Sequence, residues 1–389
     1  MFKILRNFVN LIMTAIFYLI IITTILFIIF TVVKVYSNNK SSNEIVTSKN
    51  TDEVYGKIIN MEANSKKTNK DSHSFNVDIK ILSGKFKGKT ITVPNLVVGF
   101  ISNSQSNNQE YAKLGDEVLV NLNQDADGNI KDAYIYEIVR YKYLYKLSLF
   151  FLILLILFGG IKGFKSIITL LITGFAVIKI LIPLILNGYN AILTTAIICI
   201  LLVIINLIII NGCNKKTLSA IIGTSGGVLI AGAIAFFLNS VIRVNGFTDE
   251  EIQSMINITQ NQNINLTGIY FAGLIMGALG AVMDVSMSIA SAVYEIKAIR
   301  PKISVIELIK SGMNVGKDIM GTMTNTLILA YVGGSMYIII MILPYINTLS
   351  TVINQDIIAA EILKTLAGSI GLIIAIPLTV IVSTFLSLD

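Results

Sequence analysis

Apolar residues recur along this chain in two rhythms. From Asn7 to Val33 no charged residue interrupts the run, which is long enough to cross a hydrocarbon core and lacks a small-residue cleavage pattern before Lys34; it reads as an uncleaved anchor. Residues 34 to 146 then turn polar. Within them "VYGKIINMEANS", "SFNVDIKIL", "KGKTITVPN", "GDEVLVNLN" and "AYIYEIV" are alternating or β-branched runs separated by Gly, Asn, Asp and Lys, which predicts a small β domain. From 147 onward long apolar runs return. They predict spans near 147–161, 166–186, 189–211, 217–240, 266–293, 319–343 and 364–386, eight with the first run.

The expected architecture is therefore an all-α polytopic membrane bundle with a β domain between its first and second spans: an anchor over 1–33, a β-rich domain over 34–146 and a seven-helix membrane domain over 147–389. Composition agrees with it, since 54% of the residues are hydrophobic and 14% charged. The formal charge of +7 raises nucleic acid as a partner, but its distribution argues against that. With simply alternating spans, Lys3 and Arg6, Lys162 and Lys165, Lys215 and Lys216, and Lys297, Arg300, Lys302, Lys310 and Lys317 all fall on one side. Residues 241–265 on the other side hold Arg243 against Asp249, Glu250 and Glu251. The basic side is expected to be the cytoplasm, with both termini inside and residues 34–146 outside a bacterial cytoplasmic membrane. Tyr141, Tyr143 and Tyr145 suit the outer interface of the second span, whose ends Lys146 and Lys162 can snorkel from.

Other chemistry is thin. Cys199 and Cys213 lie within and at the end of one apolar run, so neither a disulfide framework nor a metal site is expected, and no cofactor is implied. His73 stands in a Lys/Asn/Ser-rich stretch and reads as a solvated loop residue. "DADGN" looks like a calcium loop, but its Gly128 is at the fourth position instead of the sixth; Asp127-Gly128 reads better as a hairpin turn. Two loops carry helix-start signals, Thr248 with Glu251 outside and Ser304 with Glu307 inside, the second helix ending at Gly312. Ile303, Ile306, Ile309 and Met313 share a face of that inner segment, which should lie on the membrane surface or against the bundle.

The sixth expected span holds the least bilayer-compatible stretch, "GALGAVMDVSMSIASAVYEI". Asp284, Ser288, Ser291 and Glu295 are spaced by four, three and four, one helical stripe that should not face lipid. Gly273, Gly277 and Ala281 make an adjacent small-residue stripe, with Gly280 beside it. Gly223, Gly227, Ala231 and Ala235 repeat the spacing in the fifth span, which makes the fifth and sixth a natural close pair. The seventh span opens with Asp318, Thr322, Asn325 and Thr326 near one face, and antiparallel register from the membrane edges puts Asn325 and Thr326 level with Ser288 and Ser291. Lys179, shortly before Pro183 in the third span, is the remaining intramembrane charge, able to snorkel outward or to pair with Asp284. A charge at a span centre costs on the order of 3 kcal/mol on insertion scales and usually marks a pathway or a bundle interior. Asp284 is the leading candidate.

In these residues, and in "SGMNVGKDIMGTMTNTLILAYVGG", "LIPLILNGYNAIL" and "CNKKTLSAIIGTSGGVLIAG", the sequence resembles the YibE/F-like family of bacterial multi-spanning membrane proteins. The resemblance covers the chain from about residue 150 to its end and, more loosely, the β domain with "KLGDEVLV". It implies a membrane topology; it carries over no catalytic residue. Among function classes, an intramembrane aspartyl protease needs two acids meeting at one depth, whereas Asp318 sits near the membrane edge and a Gly-x-Gly-Asp motif is missing, so no enzyme is expected. A transporter or permease for a small solute or ion explains a buried acid, polar helix faces and proline-interrupted spans together. The alternative is a non-catalytic envelope scaffold or signalling protein whose residues 34–146 bind an envelope protein partner.

Overall fold

The computed structural model describes residues 51–63, 75–95, 112–125, 129–244, 246–247, 266–342 and 348–388. The expected anchor at 7–33, His73, the Asp127-Gly128 turn and the Thr248/Glu251 helix start lie outside them. The chain divides into two compact units, Asn38–Leu155 and one that takes in Ile156–Asp389.

The first unit holds five antiparallel strands, β1 (Thr51–Ala63), β2 (Phe75–Ile81), β3 (Thr90–Pro94), β4 (Glu117–Gln124) and β5 (Ile130–Ile138). Their order is β3-β2-β1-β4-β5. The long β1 pairs with β4 over its first half and with β2 over its second, and a bulge between Ile58 and Asn60 bends it between the two. The sheet thereby curls, bringing β3 into contact with β5 as a small half-barrel. Alternation selects what fills it: Val54 and Ile58, Val77, Ile79 and Ile81, and Val118, Val120 and Leu122 point inward and are buried. Buried Asn95 closes one end, its amide donating to Ala112 O at 2.9 Å while accepting from Ala112 N at 3.0 Å. On the outer face Asp78 accepts from the Thr92 hydroxyl at 2.6 Å and the Asn60 amide at 3.1 Å.

Helices follow: α1 (Tyr141–Ala176), a π turn (Val177–Leu181), α2 (Ile182–Leu186), α3 (Ala191–Asn211), α4 (Lys215–Ile242), α5 (Leu266–Ile299), α6 (Val305–Gly334), α7 (Met336–Ile342), α8 (Leu349–Ile353) and α9 (Asp356–Leu386). Among the described residues, five stretches are long and apolar enough to cross a membrane: Tyr141–Leu186, Ala191–Asn211, Lys215–Ile242, Leu266–Ile299 and Asp356–Leu386. The first, at 46 residues, is about twice what one crossing needs. Its helical path breaks at Gly160, whose φ of 52° and ψ of −132° are open to a residue without Cβ. The expected second and third spans thus meet at Gly160 with no separate loop at 162–165. The π turn precedes Pro183: with no N–H there, the ladder widens and Ile182 N–H reaches back five residues to Val177 O.

In the second unit α4, α5 and α9 form the centre, with α3 and α6 packed on it. Small residues set the closest crossing, between α4 and α9. A Cβ on Gly227 would lie 2.6 Å from Ala375 Cβ and 2.8 Å from Gly371 O, and one on Gly371 would lie 2.6 Å from Ala231 Cβ. Gly223 abuts Thr379 of α9. The glycines of the fifth expected span therefore seat α9 first, and α5 through Val282 at Gly227 and Ile275 at Gly232. Val282, Ile289, Leu372, Ile376 and Val380 are fully buried in this core.

The inner segment expected to stop at Gly312 is instead the start of α6. Its capping box forms, the Ser304 hydroxyl accepting from Glu307 N and the Glu307 carboxylate from Ser304 N. The helix then continues because Gly312 and Gly316 are buried contact points, against Val293 and Val380 and against Ile376 and Ile289. Ile303, Ile309 and Met313 pack on the core with buried Leu308, whereas Ile306 is exposed.

Candidate functional site

Among the described residues, most of the polar positions singled out by the sequence are exposed on the second unit. On α5, Gly273, Gly277, Gly280, Asp284, Ser288 and Glu295 are exposed and Ser291 is half-buried. On α6, Asp318, Thr322, Asn325 and Thr326 are exposed. Thr322 and Thr326 donate to carbonyls of their own helix, Ile319 O at 3.0 Å and Thr322 O at 2.9 Å. Gly273 and Gly280 meet nothing within 4 Å of a built Cβ, so they contribute no helix contact among the described residues.

Register explains why the two polar faces do not close on each other. The α5–α6 turn occupies only residues 300–304, so both helices run well past the expected membrane edges. Contacts along the seam, Val293 at Gly312, Ile289 at Gly316 and Gly277 at Tyr331, then bring Asn325 and Thr326 level with Gly280, about two helical turns from Ser288 and about three from Ser291. Lys179 is exposed on the π turn, and among the described residues no ion pair joins it to Asp284.

A different charged group sits inside the helical packing. α6 ends at Gly333-Gly334, and Ser335 caps it, its N–H donating to Tyr331 O, before α7 begins at Met336. This break falls within the apolar run 319–343 that the sequence reads as one span. Opposite it, in the second turn of α9, the Glu361 carboxylate accepts from the Ser335 hydroxyl at 2.5 Å and from Lys364 Nζ at 3.0 and 3.2 Å. The side chains of Lys364 and Glu361 are 25% and 19% exposed, against 48% and 30% for the surface pair Lys142–Glu117. Lys364 Nζ also lies 5.2 Å from the centre of the Tyr331 ring, within cation–π range. Tyr270 of α5 donates to Ala360 O and fixes the start of α9. Gly277 leaves room for the Tyr331 phenol, whose oxygen has no hydrogen-bond partner among the described residues.

Beside the pair is a cavity of about 180 Å³. Ile328, Val332, Ile339, Ile358, Ile362 and Leu366 form its walls, bordered by Tyr331, Ser335, Glu361 and Thr365, and its surface is almost wholly apolar. Sequence reading missed this site because Glu361 and Lys364 stand at the edge of an apolar run and pass for interfacial charges. The available signal was the acid–base pair at i and i+3 together with the Gly333-Gly334-Ser335 breaker in the preceding run.

A half-barrel followed by a bundle of long apolar helices, with a partly buried ion pair among them, defines a helical membrane protein carrying a β domain on its N-terminal side. The chain belongs to the YibE/F-like family: the family description "YibE/F-like protein" matches residues 147–388, and "YibE/F family N-terminal domain" matches residues 51–138. No curated protein and no solved structure matches the chain significantly.

Proposed function

We propose that the protein is a transporter-like permease of a bacterial cytoplasmic membrane, crossing it eight times with both termini inside and residues 34–146 outside. The orientation rests on the Lys/Arg asymmetry of the short loops. The observation that carries the transport reading is the break of α6 at Gly333-Ser335 opposite the Glu361–Lys364 pair. Interrupted helices beside a charged side chain are how transporters place a polar site inside a bundle while the freed backbone groups stay satisfied. Asp284 and the polar faces of α5 and α6 form the other half of the pathway. They supply a hydrophilic surface leading across the inner half of the bundle toward the basic loops.

The second reading, an envelope scaffold or signalling protein, is favoured by a β domain that is compact on its own and leaves Ile59, Met61 and Leu114 exposed. A deletion strain distinguishes the two. Its metabolite and metal sensitivities should be restored by the wild-type chain and not by Glu361→Gln or Asp284→Asn chains present at equal level. Full restoration by both variants would reject the transport reading and leave the scaffold.

A further inference from the structure

We infer that residues 7–33 seat on the exposed face of α5 and wall off its polar stripe from lipid; this rests on the eight-span reading and supplies a wall that the pathway lacks among the described residues. Gly273, Gly277, Gly280, Asp284, Ser288 and Glu295 are exposed along that face. A carboxylate near the mid-point of a span faces a bundle interior or water, not hydrocarbon. A Cβ built on Gly273 or Gly280 meets nothing within 4 Å, which leaves a small-residue seat with no helix in it among the described residues. Other exposed helix faces carry side chains such as Leu170, Leu171, Phe236 and Phe237, which lipid covers directly.

Length, depth and chemistry select the occupant. Outside the described residues, the uncharged run long enough to span is 7–33, about 40 Å as a helix. In the proposed topology it runs from inside to outside, antiparallel to α5. Setting its mid-point, residue 20, against that of the expected span 266–293 brings Thr14 within about half a turn of Asp284. From that pair the two stripes keep step at helical spacing in both directions. Inward, Asn10 and Asn7 fall opposite Ser288 and Ser291, and Lys3 opposite Glu295; outward, Tyr18, Ile21 and Ile25 fall opposite Gly280, Gly277 and Gly273. Charge thus meets opposite charge, amide and hydroxyl meet hydroxyl and carboxylate, and large side chains meet glycines. Glu295 has no ion pair among the described residues. A second copy on a two-fold axis would instead turn Asp284 and Glu295 toward their own counterparts, like charge against like.

The test uses the full chain in native membranes with Cys199 and Cys213 replaced by alanine, and reads oxidative cross-links as disulfide-linked peptides by mass spectrometry. Asn10→Cys with Ser288→Cys, and Tyr18→Cys with Gly280→Cys, are expected to link within one chain. Ile16→Cys, on the opposite side of the segment, is expected to link to neither partner. Gly280→Leu should suppress the link between positions 10 and 288 roughly fivefold by overfilling the seat, for which alanine is still small enough. Failure of both expected pairs, equal linking from Ile16→Cys, or undiminished linking beside Gly280→Leu would each overturn the inference. So would a disulfide between Gly280→Cys positions of two chains, which would give the face to a second copy. Should the Gly280→Leu chain not insert, the pattern of pairs decides. Because linking is read without flux, its failure leaves the permease reading to be judged on transport alone.

Discussion

Single residues decide how close the helices come and where charge can sit. Gly227 and Gly371 face each other across the α4–α9 crossing with each other's carbonyls 2.7 to 2.8 Å from a built Cβ, so neither tolerates a side chain without moving backbone. Overpacking of this kind typically costs about 1–3 kcal/mol. Gly227→Val should therefore lower the unfolding temperature in detergent, while Gly280→Ala, which meets nothing within 4 Å, should leave it unchanged or slightly raised. Equal destabilisation by both would contradict the packing described. In the β domain, hydrogen bonds from Thr92 and then Asn60 hold the Asp78 carboxyl below its ordinary value of 3.8. A depressed folded-state value means the contribution is present above 3.8 and is lost as pH falls through the lower folded value. Amide protection factors in β2 and β3 of the full chain should fall over that acid window in the wild type, and Asp78→Asn should flatten the dependence. An unchanged acid profile in the variant would show that Asp78 plays no part.

At the scale of elements, the α5–α6 hairpin is the part where sequence and structure differ most instructively. Reading the register from presumed membrane edges put Asn325 beside Ser288; the five-residue turn and the buried Gly312 and Gly316 put Val293 beside Gly312 instead. In a background lacking Cys199 and Cys213, cysteines at Val293 and Gly312 should form a disulfide readily and cysteines at Ser288 and Asn325 should not. The reverse pattern would restore the edge-based register.

The five strands were legible because alternation is strict where one face is buried, as in "FNVDIKI" and "EVLVNLN". So was the start of α6, since a capping box is a local signal. Helix continuation past Gly312 was not legible, because a glycine that ends a helix and one that seats a neighbouring helix look alike in one sequence. The Glu361–Lys364–Ser335 cluster was hidden for a related reason: it joins residues 26 positions apart, and only the fold brings the breaker to the pair.

For the molecule as a whole, charge asymmetry supports the proposed sidedness and the partly buried pair the proposed activity. A cysteine replacing Lys87 in the turn between β2 and β3 should react with an impermeant maleimide in intact cells, and one replacing Lys302 in the α5–α6 turn should react only after permeabilisation. Labelling of the Lys302→Cys variant alone in intact cells would invert the topology and with it the proposed direction of access. If the pair at Glu361 serves transport, removing one partner should also cost more than removing both, since an unpaired, partly buried charge is left behind: Glu361→Gln and Lys364→Met should each impair folding or activity more than the double variant does. The most direct measurement of the permease reading is solute-induced charge movement by the purified chain in proteoliposomes adsorbed on a solid-supported membrane, with small organic cations applied across a range of pH. Transient currents that saturate with solute in the wild type and vanish in Glu361→Gln are expected; a wild-type chain that is folded, inserted and silent toward every cation applied would contradict the account.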